Sequence, residues 1–371
     1  MRLVVLAALL LPTLLAPAPL SAQDTQGSRN VKLSAHVPLL AHGAPVAVAL
    51  DQEGETVYVA HENAVSIIDA RSGLRVETRT GVEGITGIAD AADGFLLSTQ
   101  TGLVHWSADG SRTAADIGPV RSVFLYRHST AGAVMLAATS EGIRMLAGPA
   151  ATPDLVPIPD DIPNRDRGIR DVYAAFHLPT ESDRLYAAGG GGYFVWDITR
   201  PESPELLTWV NSAAVQEGSA IQATPDGTHL VTTTAYRSAP VRIFDIRPAL
   251  DGTVSQVRTA AGAWTADWKS YASRFEVRWP YVFVAARDGG FQMFNMRNAF
   301  EPYTTAWFRT SNAVDVDVRN RDGLVAVADA ESGLWLIRVE DFRSWDGRGW
   351  GVGNISAVQD WERGPTSADR W

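Results

Sequence analysis

The stretch LYAAGGGGYFVWD, residues 185–197, is an apolar run, a turn of four glycines and a second apolar run. That is the pattern of a β-hairpin, and it returns along the chain. VYVAHENAVSIID starts at Val57, FLLSTQTGLVHWS at Phe95 and VMLAATSEGIRMLA at Val134. LVTTTAYRSAPVRIFD starts at Leu230, VFVAARDGGFQMFN at Val282 and LVAVADAESGLWLIR at Leu324. The seven hairpins begin 38, 39, 51, 45, 52 and 42 residues apart, the period of a four-stranded propeller blade. The chain is therefore expected to be all-β, a seven-bladed β-propeller of four-stranded blades. Unrelated activities share that fold, so architecture alone assigns no function.

Blade four is the most legible. Asp171–His177 is expected as its inner strand, Leu185–Ala188 as the second, Tyr193–Asp197 as the third and Glu205–Val210 as the outer. Almost every position is apolar, as in strands covered on both faces. Gly189 to Gly192 form the turn, and no helix follows them to make a phosphate cradle. Asp69, Asp197, Asp245 and Asn295 end third strands, where their side chains can bond nearby amides and fix the next turn. Blade seven, Asn312 to Asp341, has three evident strands. The fourth is expected from Asn30–Leu39, at the other end of the chain, with Val31, Leu33, Ala35 and Val37 on a buried face. Such a strand closes the ring and removes two sheet edges.

Composition narrows the function classes. With 371 residues and 46% hydrophobic content the chain can bury a large core. A formal charge of −10 without a Lys/Arg-rich run argues against nucleic acid and anionic membrane surfaces. There is no cysteine, which excludes disulfides, thiolate metal sites, cysteine nucleophiles and an acylated lipoprotein cysteine. Residues 1–22 read as a signal peptide: Arg2, an apolar core Leu3–Leu20, and a small-residue cleavage site at Ser21-Ala22. A membrane anchor is the competing reading, countered by Pro12, Pro17 and Pro19 and by the lack of a basic stop-transfer flank. The expected organisation is a signal peptide 1–22, a propeller 23–341 with blades from about 45, and a Trp-rich tail 342–371. The tail carries Trp345, Trp350, Trp361 and Trp371 without strand or helix periodicity.

WDITRPESPELLTWV (196–210) and WPYVFVAARDGGFQMFNMRNAFEP (279–302) resemble LVIVD repeats of exported bacterial and archaeal propellers. ETVYVAHENAVSIIDARSGLRVET (55–78) is similar to a YVTN-type repeat of the same superfamily. The resemblance covers roughly residues 45–340 and implies a periplasmic, cell-surface or secreted propeller, in a family without a shared activity. It brings no catalytic residue. Residues 69–73, Asp-Ala-Arg-Ser-Gly, also resemble part of the tryptophan docking motif of quinoprotein propellers. The final tryptophan is missing and other blades do not repeat the motif, so no quinone is expected.

Binding residues gather in long loops at one rim of a rigid scaffold. Two connections are expected to be expanded on one face: Pro159–Ile169 before blade four and Ala260–Ser273 before blade six. The second carries Trp264, Trp268 and Tyr271, with Arg274 beyond, a set that could grip a glycan or protein or simply pack on a blade edge. Inner-strand entrances place Arg121, Arg170, Asp171, Arg274, Glu276 and Asp315 near the channel mouth. Turns between second and third strands add Glu141, Arg237, Arg287, Asp288 and Asp329. These either form a charged funnel or are ordinary solvated ends. Seven dispersed histidines, and no HExxH, GxSxG or Walker pattern, leave no motif-level catalytic signal. The expectation is an exported, non-catalytic binding or scaffold module for an envelope or extracellular protein or glycan, with no metal or cofactor. The alternatives are a metal-dependent lactonase-type hydrolase using Glu276, Asn312 and Asp315, or a propeller subunit of a redox enzyme.

Overall fold

The computed structural model describes residues 26–340, apart from 147–153, 211–214, 216, 237, 268–270 and 320–321. The expected signal peptide and tail lie outside the described residues. Seven four-stranded antiparallel sheets are each built from consecutive strands, except one that takes its outer strand from the start of the chain. Blade four comprises Ile169–His177, Ser182–Gly189, Gly192–Asp197 and Glu205–Val210, each within a few residues of the expected bounds. Apolar clusters lie between successive blades, so strands are apolar on both faces. The third-strand ends behave as expected. Asp69, Asp197, Asp245 and Asn295 accept hydrogen bonds from the amides of Ser72, Thr199, Arg247 and Arg297, at 2.7–3.0 Å.

Val31–Val37 pairs with Gly333–Val339 and closes the ring. The expected single buried face does not hold: Leu33 is 47% exposed. A bulge after Leu33 leaves Ser34 unpaired and reverses the side-chain parity. Val31 consequently packs with Ile337 and Val339 in the blade six–seven cluster, whereas Ala35 and Val37 join Leu334 and Leu336 in the blade seven–one cluster. The segment before it also crosses blades. Ser28 N–H donates to Trp307 O at 2.9 Å and Arg309 N–H to Gln26 O at 2.7 Å, along the outer strand of blade six.

All seven inner strands share one irregularity that the sequence did not announce. At the second residue of the strand, or the third in blade six, the register shifts, skipping Val46, Thr86, Arg121, Arg170, Ser219, Ser273 and Val314 in turn. Inner strands are also sheet edges with backbone groups that need partners. Side chains of adjoining blades bond these groups at every junction. Asp90 accepts from Gln52 N, Thr86 donates to Val120 O, Arg121 to Ile169 O, and Asp171 accepts from Ile221 N. Gln222 accepts from Val277 N, Arg278 donates to Val318 O, and Asp315 and Asp317 accept from Val48 N and Leu50 N. The belt lines the channel and sets the stage for its mouth.

Candidate functional site at the channel mouth

One end of the ring carries the inner-strand entrances, the hairpins between second and third strands, and the outer-to-inner connections. At blade four that connection, Ile158 to Gly168, folds back across the glycine turn. A Cβ on Gly190 would lie 2.1 Å from Asn164 O, and one on Gly191 2.5 Å from Ile162 Cγ2. The four glycines therefore serve close packing as well as turning.

The second expected loop is corrected. Gly262–Trp264 is the outer strand of blade five, pairing with Val241–Ile243. Trp264 is 5% exposed, stacks on Phe294 at 4.6 Å and donates Nε1–H to Thr304 Oγ1 at 3.0 Å. It is a core residue between blades five and six, not an anchor for a ligand. The extra residues of that repeat lie before this strand, between Asp245 and Gly262, and leave from the opposite face. Val257 in this segment bridges to Val210, the last residue of the outer strand of blade four. Trp268 and Arg237 lie outside the described residues.

The remaining candidates do converge. The bulge aligns Arg121 with Arg170, and the next residue aligns Asp171, Arg274 and Asp315. Arg121 Nη1 donates to Arg167 O at 2.8 Å. Arg170 Nε donates to Glu217 Oε1 at 2.6 Å, and Arg167 Nη1 reaches Glu217 Oε2 at 3.1 Å. Burial, and then the neighbouring Arg170, lower the Arg121 pKa, with Glu217 opposing them. Neither Arg167 nor Glu217 was singled out from sequence, although Glu217 immediately precedes Gly218, the first residue of an inner strand. Arg274 forms an ion pair with Asp171 at 2.7 Å. Burial opposes its charge, but Asp171 and Asp315 prevail and hold its pKa above the ordinary value.

Beneath this rim the channel turns acidic. Burial raises Asp315 to about 7 against the pull of Arg274 and the Val48 amide. Glu276 also rises to about 7 through burial, opposed by Arg278, whose Nη1 lies 2.7 Å from Oε2. Asp90 reaches about 7 through burial and then the charge of Asp51. These groups are partly exposed; the Glu276 side chain is 24% exposed.

Between blades five, six and seven the mouth opens into a cleft of about 280 Å3, lined by Ala235, Tyr271, Arg287, Asp288 and Asn312. Tyr271, the first residue of its inner strand, is half-buried, and the Arg287 guanidinium lies 5.8 Å from its ring centroid. Glu141 pairs with Arg144 beside its own turn. Asp329 is buried and accepts amide hydrogen bonds from Asn312, Glu331 and Ser332, so both serve their hairpins.

No protein-family model matches the chain, and no curated protein matches it. Among solved structures, the β-propeller domain of Myceliophteria thermophila Cps50 (Swd1) is similar, with a TM-score of 0.62 at 14% identity. The match covers 80% of this chain and 97% of that one. The fold is a β-propeller. At this identity the likeness is one of fold alone.

Two constellations in the propeller invite a catalytic reading. Asp315 spends its carboxylate on the amides of Val48 and Val316, Glu276 is paired with Arg278, and Asn312 faces Arg287 at 3.4 Å. Among the described residues no three His, Cys, Asp or Glu side chains converge to hold a metal. Ser129, His128 and Asp183 meet between blades three and four, and Ser129 Oγ–H donates to the Asp183 carboxylate. His128 Nδ1, however, accepts from the amides of Thr130 and Ala131, while Nε2–H donates to Ile198 O at 2.7 Å. With both ring nitrogens engaged and the residue 1% exposed, the cluster staples two blades.

Proposed function

We propose that this propeller is a non-catalytic binding or scaffold module that engages an acidic protein or glycan through the channel mouth. The observation that carries the reading is three guanidinium groups gathered around a single carboxylate: Arg167 and Arg170 pair with Glu217, and Arg121 is held beside them by the backbone carbonyl of Arg167. Three guanidinium groups against one carboxylate leave positive charge at the inner rim of a chain whose formal charge is −10. Asp160, Asp161 and Asp166 are exposed on the same connection, where Asp160 pairs with Arg165. Guanidinium groups held on strand ends and by backbone carbonyls are preorganised for carboxylate. Similarity to LVIVD and YVTN repeats, together with the leader-like residues 1–22, supports an extracytoplasmic setting, where anionic glycans and protein surfaces are the available partners.

The test uses the mature chain, residues 23–371, as bait for the soluble envelope fraction and its glycans, beside an R121Q/R170Q variant. The expected result is at least a tenfold loss of retained ligand in the variant, with an unchanged melting temperature and weaker retention at higher salt. Equal retention by both proteins overturns the reading. So does hydrolysis of lactones or esters that a chelator abolishes, which would restore the hydrolase alternative.

A further inference from the structure

The arginines at the mouth are not equivalent. Arg167, Arg170 and Arg274 have carboxylate partners, and Arg121 donates to two backbone carbonyls. Arg287 has neither. Among the described residues its hydrogen bonding is a single long 3.4 Å contact from Nη1 to Asn312 Oδ1, its Nε is buried without a partner, and its guanidinium lies 5.8 Å from the Tyr271 ring centroid. A half-buried guanidinium in this state sits in the wall of a 280 Å3 cleft open to the mouth. Its planar fork suits a carboxylate bound through two parallel hydrogen bonds.

The other lining groups select among carboxylates. Asp288 is exposed on the turn next to Arg287, with φ of 61°. Its charge repels any carboxylate alike, but its two oxygens accept from hydroxyl groups, which a sugar brings and an acidic side chain does not. Asn312 offers a donor and an acceptor, and Tyr271 an aromatic surface on which the C–H face of a sugar ring packs. The volume is just below the roughly 300–1,000 Å3 of pockets for drug-sized ligands, which suits one ring. We infer that this cleft binds a single uronate residue of an acidic glycan, its carboxylate on Arg287 and its hydroxyls on Asp288 and Asn312. The inference rests on the mouth-face reading and names its ligand class.

Calorimetric titration of the mature chain with galacturonate, trigalacturonate, galactose and a glutamate-rich peptide tests it. Galacturonate and its trimer are expected to bind at least tenfold more tightly than galactose. Arg287→Gln should bring the two monosaccharides to similar affinity while the melting temperature stays unchanged. Asp288→Asn keeps a residue tolerant of positive φ and should weaken galactose several-fold, and galacturonate less, because repulsion of its carboxylate is relieved at the same time. Equal affinity for galacturonate and galactose in the native protein overturns the assignment, as does undetectable binding of every sugar. Binding of the peptide that strengthens in Asp288→Asn overturns it in favour of an acidic protein. If R121Q/R170Q abolishes partner retention while galacturonate fails to bind, the cleft assignment falls and the mouth reading survives. Equal partner retention by that variant sinks the mouth reading itself.

Discussion

The seam where the ring closes lies at the outer edge of blade seven, whereas the mouth of the channel is built on the inner strands, and the two serve opposite ends. At the seam, a strand from residues 31–37 pairs with one from residues 333–339, with Val31 packed on one face, Ala35 and Val37 on the other, and a His36–Trp335 stack at 3.7 Å. At the mouth, guanidinium groups lie half in water, held by carbonyls and few carboxylates. Apolar burial at the seam contributes stability that does not depend on the occupant of the mouth. Partly solvated ion pairs at the mouth contribute little stability, which leaves those side chains available for recognition. Residue type alone does not separate the two regions; Trp264, a candidate for recognition in the sequence, is a packing residue of the first kind.

The largest expected effect breaks the seam. A chain beginning at His42 should melt at least 10 °C below one beginning at Gln23, or be insoluble. Full burial of a side chain such as Val31 is worth about 1.5–3 kcal/mol, against total stabilities of about 5–15 kcal/mol. Equal melting temperatures would refute closure by the N-terminal strand. Next comes Trp264→Ala, expected to destabilise the fold by about 3–5 kcal/mol while the folded fraction retains partner binding. A variant that melts normally but no longer binds would return Trp264 to the recognition surface.

A smaller effect concerns pH, because the acidic groups at the seam side of the channel titrate abnormally. Asp315 and Asp90 lie near 7 instead of 3.8, raised chiefly by burial. Between pH 4 and 7 the folded chain therefore holds protons that the unfolded chain has released, and its stability declines as pH rises through 7. The melting temperature at pH 8 is expected below that at pH 5. Asp322 and Asp245, whose pKa values are lowered, stay ionised across this window; burial lowers His61, His177 and His229, which oppose the decline below about pH 6.5 and are outweighed by the larger shifts of the buried carboxyl groups. Asp315→Asn keeps an acceptor for the Val48 amide and should flatten the profile; a flat profile in the native protein would contradict the assignment. Smallest of all, R121Q/R170Q should shift melting by no more than about 2 °C, given the roughly 0–1 kcal/mol of an exposed ion pair. A larger drop would mean that the mouth arginines belong structurally with the seam.

Much of the mouth was legible because inner-strand starts can be read from the hairpins they precede. Arg121, Arg170, Asp171, Arg274 and Asp315 fall at equivalent offsets, and the structure brings them to one end. Glu217 and Arg167 were missed, since their significance is a partnership across 50 residues with no local signature. Trp264 was misplaced because Gly262–Trp264 is a strand of only three residues, too short for alternation to reveal.

By itself, the sequence determined the seven-fold repeat, the all-β class, the shared blade and the polar caps of the third strands. Those features follow from local periodicity and short-range turn chemistry, which act within one hairpin. Tertiary structure alone decided which side chains meet across blades: the seven aligned bulges, the belt at every junction, the switched face of Ala35 and Val37, and the Arg287 cleft. Asp315 and Val48 are 267 positions apart, yet their hydrogen bond is 2.9 Å. A contact of that kind depends on ring closure and strand register, where a single bulged residue turns a side chain from one neighbouring blade to the other.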